Sequence, residues 1–125
     1  MLWLAVGVGG ALGSLARHGV NVAVGRMAGQ PVPYATAAVN IVGCVCIGAL
    51  AGAIAGGRLE LSSTARAFLL VGVLGGFTTF SSFGLDTLVL AQQGRTLTAV
   101  WNVAGQVGLG LLGVFGAYAL VLKVS

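Results

Sequence analysis

The chain has 125 residues, 58% of them hydrophobic and 6% charged, with a net charge of +4 and a mean hydropathy of +1.05. A water-soluble domain carries about a quarter charged residues, so this composition excludes one and assigns the chain to a lipid bilayer. The basic residues Arg17, Arg26, Arg58, Arg66, Arg95 and Lys123 lie mostly beside the ends of apolar runs, the pattern of interfacial anchors and not of a nucleic-acid-binding patch.

At roughly 20 apolar residues per span, the length accommodates four helices joined by short turns. The prediction is an all-α integral membrane protein, one domain over residues 1–125, with spans at about 2–27, 34–55, 64–92 and 97–122. The first run is apolar from Leu2 with no basic leader, and is expected to be a retained span instead of a signal peptide. Within it Gly9 and Gly13 are four apart, a spacing that lets two helix backbones approach closely where lipid offers no hydrophobic drive. Arg17 and His18 interrupt the run. Arg17 either snorkels to the interface or lines a wet vestibule; His18 has no second metal-type ligand nearby and reads as an interfacial polar residue.

Gln30-Pro31-Val32-Pro33 is expected to turn, because each proline lacks a donor and biases its predecessor away from helix. In the second span Thr36 and Asn40 share a face. A carboxamide inside an apolar run must find partners, and two readings are open: it bonds another helix, or it presents N–H groups to an anion. Cys44 and Cys46 point to nearly opposite sides of a helix and cannot bridge each other. Gly48, Gly52 and Gly56 repeat at four and predict a close helix contact.

Gly57 to Ser63 is expected to be a loop carrying Arg58 and Glu60, with Ser62 or Ser63 capping the third span. That span holds Gly75-Gly76-Phe77-Thr78-Thr79-Phe80-Ser81-Ser82-Phe83. Paired glycines weaken a helix, and hydroxyl side chains offer bonds to backbone groups that come loose. Irregular backbone survives within a bilayer only inside protein or beside a watery cavity, so the stretch is a candidate ion site in a helix broken at its centre. The other reading is a glycine-softened packing helix. Asp86 follows on roughly the same side, either interfacial or part of a permeation path. In the fourth span Asn102 and Gln106 are four apart, with Gly110 four further on: a polar track or a packing bond.

With four spans, Arg58, Arg66 and Lys123 fall on one side of the membrane and Arg26 and Arg95 on the other, with Arg17 assigned to neither. So small a bias orients the chain weakly and is compatible with insertion both ways round and pairing with an inverted copy.

Taken together, Gly9-Gly10-x-x-Gly13-x-x-x-Arg17, Pro33-x-x-Thr36-x-x-x-Asn40 and Gly75-Gly76-x-Thr78-Thr79-Phe80-Ser81-Ser82-Phe83 resemble the small fluoride-channel family known as Fluc or CrcB, over essentially the whole chain. The resemblance implies an antiparallel dual-topology homodimer in the inner (plasma) membrane, with two pores that pass fluoride passively out of the cytoplasm. It implies a third helix broken at its centre and a structural sodium ion on the dimer axis, held by the backbone carbonyls of Gly75 and Thr78. It places Phe80, Phe83, Asn40, Thr36, Ser81 and Ser82 along the fluoride path, Asn102 and Gln106 on a polar track, and Arg17 in a vestibule. The sequence departs from the family pattern at Ala35 (usually glycine), Ser82 (commonly threonine), Asp86 (often glutamate) and on the fourth span, where Asn102, Gln106 and Gly110 replace Tyr, His or Ser types.

The chemistry is consistent with that expectation. A strongly hydrated anion enters a narrow path only where donors replace its water, and amide N–H groups, hydroxyls and the positive edges of phenylalanine rings are such donors without a full charge to trap it. No phosphate-loop signature is present, and no enzymatic activity is expected. Two other readings compete: a dual-topology proton-coupled drug exporter, which wants a membrane-embedded carboxylate where this chain has only Glu60 in a loop and Asp86 off centre, and a non-transporting membrane subunit with an unbroken third span.

Overall fold

The computed structural model describes residues 1–28 and 33–124, and all of their regular structure is helical. In chain order these are α1 (Leu2–Ala28), α2 (Tyr34–Ala55), α3 (Ser63–Arg66), a π-helical segment (Ala67–Leu74), α4 (Gly75–Phe77), α5 (Phe80–Gln92) and α6 (Thr96–Lys123). From Ser63 to Phe77 the winding is continuous. Among the described residues three stretches are long and apolar enough to cross a membrane: Tyr34–Ala55, Ser63–Gln92 and Thr96–Lys123. At 27 residues α1 has the length, but Ser14, Arg17, His18 and Asn21, in its middle and second half, dilute its apolar character. The expected turn at Gln30-Pro31-Val32 lies outside the described residues; Pro33 precedes the first turn of α2, its carbonyl accepting from Ala37 N at 2.9 Å.

Two helix ends close in the same way. Gly57 and Gly94 adopt φ of +71° and +72°, a left-handed conformation that only glycine enters without strain. After α2, Arg58 N donates to Ala53 O at 2.9 Å and Gly57 N to Ile54 O at 3.1 Å. After α5, Arg95 N donates to Leu90 O at 2.9 Å and Gly94 N to Ala91 O at 3.0 Å. Both are Schellman closures that satisfy the last carbonyls of a helix. Of the two candidate caps for α3, Ser62 serves: its Oγ accepts from Ala65 N at 3.2 Å.

Small residues decide which helices touch. Gly9 and Gly13 of α1 are buried against the π-helical segment and α4. A Cβ on Gly9 would lie 2.5 Å from Phe68 O, and one on Gly13 would collide with Val73 O and sit 2.8 Å from Phe77 N. From the other side, a Cβ on Gly76 would lie 2.5 Å from Gly10 O. On α2, Gly48 and Gly52 lie against Val114 and Tyr118 of α6, while Gly56 forms the C-cap of α2. The chain thus consists of two glycine-mediated pairs, α1 with the first half of the Ser63–Gln92 stretch and α2 with α6, joined where α5 meets α6 and where α2 meets α1 and the Ser63–Gln92 stretch. Little of the chain is buried. Val39 is 1% exposed, whereas Trp3, Leu4, Leu15, Leu112 and Phe115 lie open, an apolar exterior suited to lipid and not to water.

Candidate functional site: the Thr78–Thr79 interruption and its carboxamide chain

Between α4 and α5 two residues leave the helix. Thr78 has φ −84°, ψ 158°, and Thr79 has φ −153°, ψ 115°. The helix approaches this point with little to hold it, through eight residues of wide π winding and then Gly75-Gly76. Winding resumes at Phe80 because Thr79 is a good N-cap: its Oγ1 accepts from Ser82 N at 3.2 Å, satisfying a donor that the helix itself cannot.

An extended residue inside an apolar span has a backbone N–H and C=O to satisfy. In an unbroken helix Thr79 N would donate to Gly75 O. Here it donates instead to Asn40 Oδ1 at 2.8 Å, and Asn40 Nδ2 donates back to Thr79 O at 3.0 Å. The carboxamide of Asn40 pairs with the main chain as a neighbouring strand would. Each of those groups, left unpaired, would cost several kcal/mol in hydrocarbon. Asn40 therefore holds the interruption open.

The bonding continues beyond Asn40. Asn40 Nδ2 also donates to Gln106 Oε1 at 2.8 Å, so both of its amide hydrogens have acceptors in the protein and helix-to-helix bonding is what this conformation shows. Gln106 Nε2 donates to Asn102 Oδ1 at 2.9 Å, Asn102 Nδ2 to Thr87 Oγ1 at 2.9 Å, and Thr87 Oγ1 to Phe83 O at 2.8 Å. Gln106 is buried at 8% exposure, which a carboxamide tolerates only when bonded in this way.

Beside the interruption lies a groove of about 360 Å³ whose walls include Asn40, Cys44, Gly75, Thr78, Thr79, Phe80, Phe83 and Gln106. The rings of Phe80 and Phe83 sit with centroids 5.3 Å apart and planes tilted by 49°. Phe83 is buried at 8% exposure, while Phe80 is 83% exposed on the open side. The hydroxyls of Ser81 and Ser82 converge on Thr79 Oγ1, at 3.3 and 3.1 Å. They cluster at the first turn of α5, whose unpaired N–H groups carry the positive end of the helix dipole.

Of the residues singled out from the sequence, Asn40, Phe80, Phe83, Gly75, Thr78 and Gln106 meet in the groove, with Ser81, Ser82 and Asn102 bonded to its edge. Thr36 is buried one turn before Asn40 and does not line the groove, and Arg17 is half-buried on α1. One carboxylate oxygen of Asp86 is buried without a hydrogen-bond partner. Cys44 and Cys46 are both free thiols, Cys44 on the groove wall and Cys46 exposed. Thr79 and Thr87, which complete the chain of bonds at either end, were not singled out. Thr79 was findable, since a threonine at the head of an apolar run is a capping signal; Thr87 carries no such mark.

The interruption also suits a hard monovalent cation. Thr79 N, the helical donor to Gly75 O, is engaged by Asn40, which leaves the Gly75 carbonyl without its ordinary partner. Carbonyl oxygen is the donor type such ions prefer. Among the described residues no group of three or more His, Cys, Asp or Glu could hold a metal; at the interruption the main-chain oxygens of Gly75 and Thr78 are donors of the type that unwound backbone offers such an ion.

The chain is similar to known proteins over most of its length. A family model described as CrcB-like protein, Camphor Resistance (CrcB), matches residues 4–118. The chain is 48% identical over 114 residues to the fluoride-specific ion channel FluC of Paracoccus denitrificans, covering 90% of this chain and 87% of that one. It is 40% identical over 127 residues to that of Rhodopseudomonas palustris, covering 100% of both, and 42% identical over 118 residues to that of Rhizobium meliloti, covering 94% of each. These relatives are named as channels and not as enzymes. The chain is a multi-pass membrane protein and belongs to the CrcB-like family.

Proposed function

We propose that the protein is a passive, fluoride-selective channel of the inner (plasma) membrane that lets cytoplasmic fluoride leave down its electrochemical gradient. The observation that carries the reading is the interrupted span. A main chain opened at Thr78–Thr79 and held by Asn40 borders a groove lined by two phenylalanine rings, with two serine hydroxyls bonded to Thr79 on its wall. The names of the relatives supply the ion.

In this reading α1 is the fourth span, and the protein assembles as an antiparallel homodimer with one pore along each groove. Phe80 on the open side, 83% exposed in one copy, then faces a wall contributed by the second. A dehydrating fluoride ion meets the hydroxyls of Ser81 and Ser82 and the positive ring edges of Phe80 and Phe83. It takes the place of Gln106 Oε1 as acceptor for one Asn40 N–H, while the other N–H stays on Thr79 O. None of these groups carries a full charge, so the ion can leave as readily as it arrives. A sodium ion on the dimer axis, bound by Gly75 and Thr78 carbonyls of both copies, would make the core potential more positive. A negative cell interior drives an anion outward by about 2.3 kcal/mol per charge for each 100 mV.

Efflux from reconstituted vesicles, followed with a fluoride electrode, tests the reading: fluoride should leave rapidly while chloride is retained. Equal release of the two halides, or release of neither, defeats it.

A further inference from the structure

The bonds from Asn40 to Thr87 all run in one direction. Asn40 donates to Gln106, Gln106 to Asn102, Asn102 to Thr87, and Thr87 to Phe83 O, at 2.8, 2.9, 2.9 and 2.8 Å. Both ends are fixed to main chain. At one end Thr79 N and O admit a single orientation of the Asn40 amide, oxygen to the N–H and nitrogen to the carbonyl. At the other end Thr87 spends its one hydroxyl hydrogen on Phe83 O. Toward Asn102 it can then only accept, so Asn102 must turn its nitrogen to Thr87 and its oxygen to Gln106. Gln106 in turn offers nitrogen to Asn102 and oxygen to Asn40.

A carboxamide is nearly symmetric in shape, and its two ends differ only in what they bond. In a span that excludes water, its orientation is decided by neighbours. A flipped Gln106 would set its nitrogen against that of Asn40 and loosen the pair that keeps Thr79 extended.

We infer that Thr87, acting through Asn102, is a positioning residue that fixes the Gln106 carboxamide with Oε1 toward Asn40 and so keeps the Asn40–Thr79 pair closed beside the ion path. Thr87 is half-buried on α5 and does not line the groove, so it has no direct contact with a permeating ion. Asn102 accordingly serves as a link in this chain of orientations. The inference rests on the channel reading for its transport readout alone.

The test uses the full-length protein and Thr87→Val, which keeps the shape and removes the hydroxyl. In vesicles Thr87→Val should slow fluoride efflux by roughly three- to tenfold, the worth of one buried hydrogen bond, and Thr87→Ser should restore the wild-type rate. In Gln106→Leu, where the chain is already cut, adding Thr87→Val should slow efflux no further. A Thr87→Val channel at wild-type rate, or a double variant whose losses multiply, overturns the inference. Side-chain amide resonances of the detergent-solubilised protein give a readout independent of transport: Thr87→Val should shift the Gln106 and Asn40 carboxamide signals, and unmoved signals overturn the inference even if the wild type passes no fluoride. Absence of wild-type efflux would instead defeat the channel reading. Should Thr87→Val not fold, Thr87→Ala takes its place in each measurement.

Discussion

At Asn40 one side chain does two things for the main chain of Thr79 that an aspartate of the same shape cannot. A carboxylate still accepts from Thr79 N, but it has no hydrogen for Thr79 O or Gln106 Oε1, and it sets negative oxygen against both. Each acceptor left without a donor costs about 1–3 kcal/mol. Asn40→Asp is therefore expected to lose fluoride efflux and also to unfold earlier, seen as a lower melting temperature in detergent; an unchanged melting temperature would mean that Asn40 does not brace the interruption. The importance of Asn40 was legible because a carboxamide in an apolar run has to be accounted for. Its partners were not, since Thr79 and Gln106 lie 39 and 66 residues away and sequence spacing reports only on neighbours along one helix. Thr87 was hidden for the same reason: on its own helix it is an ordinary threonine bonded back to the preceding turn.

Among the helices, contact is set by where a Cβ is missing. The spacing of Gly9 and Gly13 revealed a close-packing face; that its partner is the π-helical segment and α4 depends on tertiary arrangement. Gly13→Ala drives a methyl group into Val73 O and to within 2.8 Å of Phe77 N, main-chain atoms that cannot rotate away. It should destabilise the protein by about 1–3 kcal/mol, the usual cost of overpacking. Gly108→Ala on α6 meets nothing within 4 Å in one copy and should be neutral or stabilising by up to about 1 kcal/mol through helix propensity. Unfolding of the two variants in parallel checks the contrast, and equal effects would show that α1 is not seated on this backbone. The turns at Gly57 and Gly94 were readable because a glycine just past an apolar run is a helix-stop signal. The π winding over Ala67–Leu74 was not, because Ala-Phe-Leu-Leu-Val-Gly-Val-Leu is equally suited to an α-helix and nothing in its side chains marks the wider turn.

For the whole molecule, the decisive quantity is the balance of charge at the two membrane faces. On the proposed four-span reading Arg58, Arg66 and Lys123 stand against Arg26 and Arg95, three against two, and all five are exposed. If two oppositely inserted copies are needed to close each groove, a chain forced into one orientation makes no pore. Glu60→Lys with Arg95→Gln changes the balance to four against one; Gln93→Lys with Arg58→Gln and Arg66→Gln changes it to one against three. Loop charges of this size bias insertion strongly. All the substituted residues are exposed and lie outside the groove, so neither set disturbs the interruption at Thr78–Thr79. Cells making either variant alone should lose most of their fluoride efflux, while cells making both should recover it, because each supplies the orientation that the other lacks. Full efflux from one strongly biased variant would establish that copies inserted in the same direction form the pore, and the open side of the groove would then have to be covered by lipid or by a parallel neighbour.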